Sequence, residues 1–409
     1  MEDTLFIQFF DELAEHNLKS GTDRNWYSLH NGFSFVSDEA NPVWVQIDKL
    51  SPYSRDVKLP YIAKKVYCSV FFWNEINVVM EWALQYPEIQ FIIGGPAVYP
   101  FGCTFNMQPP KNVTIMRDLA ETIFGREPSP KTWKINLPAF KKPLDIAYSF
   151  FISDNCYWGK CSFCRHQFYK GCVPKQRTYD LKTLENAPGG GVFLATDCLL
   201  PSDYYILEQL NYDDKFYKVF IKAGNVENLK MKEVFPNITN PKKLKFIIGV
   251  EFPSNKILSN INKGCTKEQL VDLINFISSC GSLVVLSYII GWRDLEESDI
   301  EEASEFFSKI SNMDTIRHRV HRRVYWQTDG FIPLRYVAAP WTHLGFVDTA
   351  TEKVMCQSKK FIDLVRTQQN YYWSKTVNNY IQADPFHVTT TFEDRKKLAE
   401  DYIDTALFH

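Results

Sequence analysis

The sequence predicts an α/β protein with an N-terminal Rossmann-like open parallel sheet, a partial (β/α)6 barrel and a mainly helical C-terminal extension. Short apolar runs typical of buried parallel strands alternate with stretches whose apolar residues repeat at helical spacing. A segment rich in Pro and Lys, residues 126–143, separates an earlier group of these units from a later one. We therefore predict an α/β domain over residues 1–140, a barrel over 141–330 and an extension over 331–409 that closes the barrel.

The composition is that of an ordinary globular protein, with 409 residues of which 45% are hydrophobic and 23% charged. The formal net charge of −2 gives no reason to expect nucleic acid or a membrane surface as a partner. The longest apolar runs are too short to span a bilayer. Ten cysteines without an export signal predict reduced thiols and a cytoplasmic location.

The N-terminal segment contains one strand–helix–strand unit. Residues 66–73 form an apolar run that predicts a buried strand, and Val78 and Trp82 mark the apolar face of a following helix. Residues 91–94 predict a second strand, which ends in a Gly-Gly-Pro turn. Residues 5–10 predict a further strand. Such units build open parallel sheets, in which ligands bind beyond the carboxyl ends of the strands.

Six strands are predicted after residue 145, and helical stretches separate them. Thr266 and Gln269 form a predicted capping box at the start of one helix, and Gly281 occupies its C-terminal cap. Parallel strands that alternate with helices predict an α/β barrel, incomplete at six units, with its chemistry at the carboxyl ends of the strands. The predicted strands are residues 146–152, 191–195, 217–221, 244–250, 283–290 and 318–327.

The C-terminal extension contains two predicted helices, over residues 353–380 and 391–407. A basic run precedes the extension at residues 317–323. This run indicates either a contact for an anion or an acidic peptide, or a strand whose charges face solvent and neighbouring carboxylates.

Three cysteines, Cys156, Cys161 and Cys164, lie within nine residues in a C-x4-C-x2-C spacing. Thiolates are soft ligands that suit iron–sulfur clusters and zinc. No fourth cysteine follows closely, and three protein ligands beside an open position are typical of a catalytic site. The alternatives are three reduced thiols without a metal, or three-quarters of a zinc site. Three cysteines so close together rarely serve packing alone.

This stretch resembles the cluster motif of radical S-adenosylmethionine (SAM) enzymes, C-x3-C-x-aromatic-C, with Phe163 as the aromatic residue and a first gap that is one residue longer. Residues 249–264 resemble the fourth strand and helix of these enzymes, in the branches near the cobalamin-dependent enzymes and the methylthiotransferases. Residues 287–292 resemble the fifth strand, although the following Arg-Asp-Leu-Glu departs from the usual apolar-Pro-Gly-Glu-Thr. The resemblance covers about residues 66–330 and implies a partial radical SAM barrel.

A second resemblance concerns the N-terminal segment. Residues 92–97, Ile-Ile-Gly-Gly-Pro-Ala, and residues 115–123 resemble the cobalamin-binding-type domain that precedes many radical SAM cores. The Asp-x-His-x-x-Gly motif that supplies an imidazole to cobalt in some cobalamin proteins is absent, as it is in many relatives of this architecture. The domain therefore either binds cobalamin or keeps the fold and binds nothing.

The resemblance to radical SAM enzymes implies a set of cofactor-binding residues. Cys156, Cys161 and Cys164 would hold three irons of a [4Fe–4S] cluster, whose fourth iron chelates SAM. Phe163 would pack near the adenine, and Asp197 would lie near the SAM amino group. For Asp197 and Glu251, the alternative is a loop carboxylate that accepts hydrogen bonds from backbone N–H groups. The residues implied to line the ribose and adenine are Lys222, Asn225, Glu251, Ile289 and Gly291.

The implied function is reductive cleavage of SAM to modify an unactivated carbon of a peptide or small molecule, by C-methylation or related C–H chemistry. The implied cofactors are the cluster, SAM and, in one of the two interpretations above, cobalamin; the implied partner is an electron donor such as flavodoxin or ferredoxin. A cobalamin-free radical SAM enzyme for hydrogen abstraction, rearrangement or epimerisation is an alternative, as is a non-catalytic metal- or iron–sulfur-binding protein. Cys68 and Cys103 are isolated, which argues against the second cluster of a methylthiotransferase.

Overall fold

The computed structural model of the chain describes eighteen segments and single residues, and the chain divides into two compact units. One unit comprises Met1–Phe151 with Asp180–Ala195, and the other comprises Ile152–Tyr179 with Thr196–His409. The described residues are 4–11, 27–28, 36, 39–47, 57–70, 73–95, 109–116, 146–153, 156–164, 181, 184, 191–213, 215–289, 292, 295–310, 314–321, 352–368 and 371–373.

The first sheet has five parallel strands in the order β3-β1-β4-β5-β6. The buried Leu5, Phe6 and Ile7 lie on successive positions of β1, so both faces of this strand are covered, as in the interior of a parallel sheet. The predicted open parallel sheet is thereby confirmed. Its strands are β1 (Thr4–Asp11), β3 (Asn41–Ile47), β4 (Lys65–Ser69), β5 (Gln90–Gly94) and β6 (Val113–Ile115).

Helix α1 (Trp73–Gln85) connects β4 to β5 and completes the predicted strand–helix–strand unit. The strand predicted over residues 66–73 ends at Ser69, because the chain has already entered α1 at Trp73. Trp82 of α1 is buried, and its indole N–H donates to the carbonyl oxygen of Val57 at 2.5 Å. The side-chain amide of Asn112 donates to the carbonyl oxygens of Ala83 and Ile89, at 3.0 and 2.9 Å, and so fixes the end of the helix against β6.

The predicted turn after β5 brings the backbone of Gly95 against the end of β4. Gly95 has a φ of +116°, in the region that favours glycine. A Cβ at this position would lie 2.5 Å from the carbonyl oxygen of Val70. The Val70 N–H donates to the Gly94 carbonyl oxygen at 2.8 Å, so the two strand ends approach too closely for a side chain at residue 95.

The second sheet has eight strands in the order β13-β12-β11-β10-β9-β8-β7-β2, and its described pairings are parallel. Seven of them, β7 to β13, follow one another in chain order, and the first six, β7 to β12, are the strands predicted for a partial α/β barrel, which is thereby confirmed. The strands are β2 (Tyr27–Ser28), β7 (Ile146–Phe151), β8 (Gly191–Ala195), β9 (Phe216–Ile221), β10 (Leu244–Glu251), β11 (Leu283–Ile289), β12 (Ile316–His321) and β13 (Tyr371–Trp373).

Helices follow the later strands of this sheet. The capping box of Thr266 and Gln269 is present, and Gly281 adopts a φ of +87° just after the same helix. No helix among the described residues combines the length and apolar character needed to cross a membrane. The helices are α2 (Asn225–Val234), α3 (Asn255–Asn260), α4 (Lys267–Ser279), α5 (Glu297–Lys309) and α6 (Glu352–Arg366), with 3-10 segments at Pro201–Glu208, Phe235–Asn237 and Pro241–Lys243.

In the predicted C-terminal extension the structure describes α6, whose Phe361 packs on Phe252 with ring centroids 4.5 Å apart. The helix predicted over residues 353–380 is confirmed as far as Arg366 and is wrong at residues 371–373, because Tyr371–Trp373 forms β13 beside β12; residues 374–380 lie outside the described residues. Aromatic residues favour strands when an edge is available for pairing. The helix predicted over residues 391–407 lies outside the described residues.

One residue of the predicted basic run belongs to the core. His318 of β12 is 3% exposed, and its Nδ1 lies 2.9 Å from the hydroxyl of Tyr288. Burial lowers the pKa of His318 to about 4, and the neighbouring Arg317 acts in the same direction. The imidazole is therefore neutral in the folded protein at neutral pH.

We expect Gly95→Ala to lower the free energy of unfolding by about 2 kcal/mol, because it forces a strained backbone and a clash with Val70. Gly94→Ala is the matched control, since a Cβ there would meet only Met116 at an ordinary 3.6 Å. Urea unfolding of both variants measures the difference. Equal stability of the two variants would contradict the close approach at residue 95.

Stability is expected to fall in acid because of His318. Its folded pKa of about 4 lies below the ordinary value of 6.5. The stabilisation of about 3 kcal/mol is therefore complete above pH 6.5 and is lost as the pH falls towards 4. Urea unfolding of the wild type and His318→Gln at pH 7.5 and 4.5 isolates this contribution. The difference between their free energies of unfolding should be smaller at pH 4.5. A gap that is independent of pH would refute the buried neutral imidazole.

Candidate functional site

The cysteine loop, residues 156–164, follows β7 and is described throughout. Its three cysteines, Cys156, Cys161 and Cys164, are partly buried, and none of them forms a disulfide. Gly159 has a φ of +55°, which lets the chain turn between the first two cysteines. The N–H of Cys164 donates to the carbonyl oxygen of Cys161 at 3.0 Å, so a tight turn separates the last two.

The loop is anchored by hydrogen bonds to three neighbouring segments. Before the loop, the hydroxyls of Ser153 and Thr196 lie 2.8 Å apart. Within it, the hydroxyl of Tyr157 donates to the carboxylate of Glu227 at 2.5 Å. The N–H of Ser162 donates to the carbonyl oxygen of Ile261 at 2.9 Å. These contacts fix the loop against the residue after β8, against α2 and against the end of α3.

Lys222, a predicted ribose-lining residue, lies at the carboxyl end of β9 and is 6% exposed. Its ammonium donates to the carbonyl oxygens of Ala223 and Gly264, each at 2.9 Å, and to Glu227 at 3.3 Å. It also lies 4.6 Å from the centre of the Trp158 ring. Because an ammonium has three donors, its hydrogen-bonding capacity is used within the chain.

Glu251, another predicted lining residue, ends β10 with a left-handed φ of +63°. Its carboxylate lies 2.5 Å from the ammonium of Lys263, and both side chains are about one-tenth exposed, at 11%. Burial by itself lowers the pKa of Lys263, but Glu251, Cys161 and Cys265 raise it more, so the net pKa lies above its ordinary value. Glu251 therefore accepts from a buried cation rather than from the backbone alone.

The buried cation lies close to the second cysteine of the loop. Burial raises the pKa of Cys161 to about 12, and the charge of Lys263 opposes that rise. Burial also raises the pKa of Cys265. Thiols in this surrounding are protonated at neutral pH, and they become ligands when a metal replaces the proton.

Phe163 and Ile289 both contact Trp292. Phe163 is 4% exposed and meets the ring of Trp292 edge-on, with centroids 5.7 Å apart. The indole N–H of Trp292 donates to the carbonyl oxygen of Ile289 at 2.8 Å. The structure thus brings Phe163 to the carboxyl end of β11, while Gly291 lies outside the described residues.

Asp197 and Asn225 are the two exposed members of the predicted set. Asp197 follows β8, and Asn225 begins α2, where its side-chain oxygen accepts from the amide of Gln269 at 2.6 Å. The five described candidates outside the loop, Asp197, Lys222, Asn225, Glu251 and Ile289, belong to the same compact unit as the loop itself. Their roles toward SAM stay predictions.

A fourth thiol, that of Cys198, escaped the sequence analysis. Cys198 is 5% exposed, and a hydrogen bond with Cys156 is the largest cause that raises its pKa far above the ordinary value, followed by burial. It lies directly after Asp197, just beyond the carboxyl end of a predicted strand, and this position could have indicated that it belongs to the site. Spacing within the loop could not reveal it, because 42 residues separate it from Cys156.

The donor set agrees chemically with an iron–sulfur cluster: three soft thiols that form no disulfide lie on one short loop beside a buried cation. In the described part of the chain, no three His, Cys, Asp or Glu side chains converge in a way that would hold a metal ion. A cluster places each cysteine on a different iron, so its three sulfurs need not converge on one ion. The assignment of Cys156, Cys161 and Cys164 as ligands stays a prediction.

Neither a protein-family model nor a curated protein sequence matches this chain. Among solved structures it is similar to the cobalamin-dependent SAM radical enzyme OxsB with aqua-cobalamin bound, at 12% identity and a TM-score of 0.44, over 74% of this chain and 52% of that one. It is also similar to TsrM from Kitasatospora setae, a radical SAM methyltransferase with tryptophan substrate and aza-SAM bound, at 10% identity and a TM-score of 0.48, over 77% and 72%. The chain spans about half the length of OxsB.

We expect Lys263→Met to lower the free energy of unfolding by about 3 kcal/mol, because the Glu251 carboxylate is left buried without its cation. The double variant Glu251→Gln/Lys263→Met removes both charges and should recover most of this loss. Urea unfolding measures both. Lys232→Met serves as the control, since it breaks the exposed Lys232–Asp272 pair, and it should change stability by less than about 1 kcal/mol. Equal losses in the single and double variants would contradict the pairing.

Proposed function

We propose that this chain is a radical SAM enzyme that modifies an unactivated carbon, by C-methylation or related C–H chemistry, of a peptide or small molecule. The observation that carries the proposal is the anchored cysteine loop: three cysteines within nine residues, none of them in a disulfide, follow the first of the six predicted parallel strands. In α/β barrels this edge of the sheet carries the chemistry.

In this proposal Cys156, Cys161 and Cys164 would hold a [4Fe–4S] cluster that binds SAM. When bound, the cluster would supply one electron to the sulfonium of SAM, so that a C–S bond could break into methionine and a 5′-deoxyadenosyl radical. Binding replaces the thiol protons, and the nearby Lys263 favours the resulting negative charge, as its effect on the pKa of Cys161 indicates.

The remaining side chains position the cofactor and exclude water. Phe163 and Trp292 present an apolar edge beside the Ile289 carbonyl, which suits an adenine ring. Asp197 is exposed at the end of β8, where a carboxylate complements the ammonium of SAM. Lys222 and Glu251 are engaged in buried ion pairs, so we assign them to shaping the site walls, and contact of Asn225 with the ribose belongs to the same proposal.

The N-terminal sheet is the candidate cobalamin domain. The Gly94-Gly95 turn brings two strand ends together at the edge of the sheet where ligands of open α/β folds bind. With cobalamin bound, the reaction would be transfer of a methyl group. A cobalamin-free enzyme of hydrogen abstraction, rearrangement or epimerisation is the second candidate, because the Asp-x-His-x-x-Gly sequence is missing. We further assign the protein a cytoplasmic location and an electron donor such as flavodoxin or ferredoxin.

Anaerobic reconstitution with iron and sulfide tests the first part of the proposal. The wild type should bind about four irons per chain and release 5′-deoxyadenosine from SAM under dithionite. Alanine at Cys156, Cys161 or Cys164 should abolish both, whereas Cys356→Ala, on the exposed face of α6, should change neither. Full iron binding by all three loop variants, or no nucleoside from a loaded wild type, would refute the proposal.

Cobalt content and the visible absorbance of the protein, incubated with hydroxocobalamin and desalted, separate the two candidate reactions. One cobalt per chain with a shifted corrinoid spectrum supports methyl transfer. A cobalt-free protein that still releases 5′-deoxyadenosine supports the cobalamin-free enzyme.

A further inference from the structure

We propose that Trp158 is a positioning residue that fixes the cysteine loop against the connection between α3 and α4. Its partners are Lys222, Asn262 and Gly264, and we call the four residues the Trp158 clamp. The inference deepens the proposed function, since it concerns the loop assigned there to the cluster. The clamp itself is a property of the polypeptide without any bound group.

The clamp begins with a hydrogen bond from the indole. The Nε1–H of Trp158 donates to the carbonyl oxygen of Asn262 at 2.8 Å. Asn262 adopts a left-handed φ of +55°, which few residues other than glycine and asparagine adopt easily. This backbone conformation and the indole hydrogen bond occur at the same residue, 104 positions along the chain from the tryptophan.

The second part of the clamp is the direct contact of the indole with Gly264. A Cβ on Gly264 would lie 2.0 Å from Cζ2 of the Trp158 ring, and Gly264 has a φ of +70°. The ring thus rests on backbone that only glycine can provide in this position. The glycine ends a stretch whose sequence, Asn-Lys-Gly, gives no hint of a distant aromatic partner.

The ammonium of Lys222 completes the clamp, and that of Lys160 lies near the same ring. Lys222 and Lys160 lie 4.6 and 4.8 Å from the centre of the Trp158 ring, within the range of attraction between a cation and a ring face. Lys222 also donates to the carbonyl oxygen of Gly264 at 2.9 Å. The same buried cation therefore contacts both the ring and the backbone on which the ring rests.

The position of Trp158 in the loop indicates what the clamp restricts. It lies in the four-residue gap between Cys156 and Cys161, the gap that is longer than in the usual motif. A longer gap leaves the first cysteine more freedom relative to the other two, and this freedom costs entropy when a ligand must be bound. The Trp158 ring is held by a hydrogen bond, by contact with backbone and by cations. These contacts restrict the loop before any ligand binds.

The first experiment measures the accessibility of a loop thiol in the absence of a cluster. In the anaerobic apo protein, the rate of alkylation of Cys161 by iodoacetamide is followed by peptide mass spectrometry. Trp158→Leu should raise this rate about tenfold, because it removes the hydrogen bond and the ring contacts together. Trp158→Phe keeps a ring for Lys222 and should raise it less. Gly264→Ala should match Trp158→Leu.

Trp82→Phe is the matched control, since it also removes an indole N–H that donates to a backbone carbonyl, in the N-terminal sheet. It should speed alkylation of Cys68, which is buried in that sheet with Trp82, and leave Cys161 unchanged. Trp158→Leu should speed alkylation of Cys161 and leave the rate for Cys68 unchanged. Unfolding of the whole unit that contains the loop would also speed alkylation of Cys280, which follows α4 in the same unit. That result, or an unchanged Cys161 rate in Trp158→Leu, would overturn the clamp.

The second experiment concerns the cluster. After anaerobic reconstitution, Trp158→Leu should bind several-fold less iron than the wild type, Trp158→Phe should recover part of the loss, and Trp82→Phe should bind as much as the wild type. A wild type that binds no iron refutes the proposed function, while the alkylation rates still decide the clamp. Full iron binding by Trp158→Leu, with an unchanged spectrum, would overturn its positioning role.

Discussion

The arrangement of the site depends on one buried ammonium. Lys222 is the common partner of β9, α2, the connection before α4 and the cysteine loop, through Ala223, Glu227, Gly264 and Trp158. A buried cation that loses a partner is costly. These four segments are therefore held in one geometry, and the Glu227 carboxylate extends it by accepting from Tyr157 inside the loop.

Three residues of the site have left-handed backbone. Glu251, Asn262 and Gly264 have φ values of 63°, 55° and 70°. For the two residues that are not glycine, such conformations cost on the order of 1 kcal/mol each or more and persist where surrounding contacts determine them. The Glu251–Lys263 pair and the indole hydrogen bond of Trp158 are those contacts. The unfavourable backbone conformations and the contacts that stabilise them therefore belong to the same part of the site.

The thiols of the site differ in their surroundings although the sequence presents them alike. Cys161 lies near the Lys263 cation, while Cys156 shares a hydrogen bond with the buried Cys198. Hydrogen bonds and charges next to sulfur ligands tune an iron–sulfur cluster. The cysteines of the loop are therefore inequivalent in their surroundings, and the difference arises from residues in other parts of the chain, Lys263 and Cys198.

The sequence alone determined the parts of this protein that depend on local periodicity. The order of strands and helices and the buried face of α1 follow from apolar spacing. The capping box at Thr266 and the three clustered cysteines follow from residue types at fixed positions. Tertiary structure alone decided the partners: the pairing of Lys222 with Glu227, the approach of Cys198 to Cys156, the burial of His318 within a basic run, and the strand that ends the predicted helix after Arg366. The physical reason is that periodicity reports which face of an element is buried, whereas charge pairing and hydrogen bonding depend on side chains brought together from distant positions in the chain.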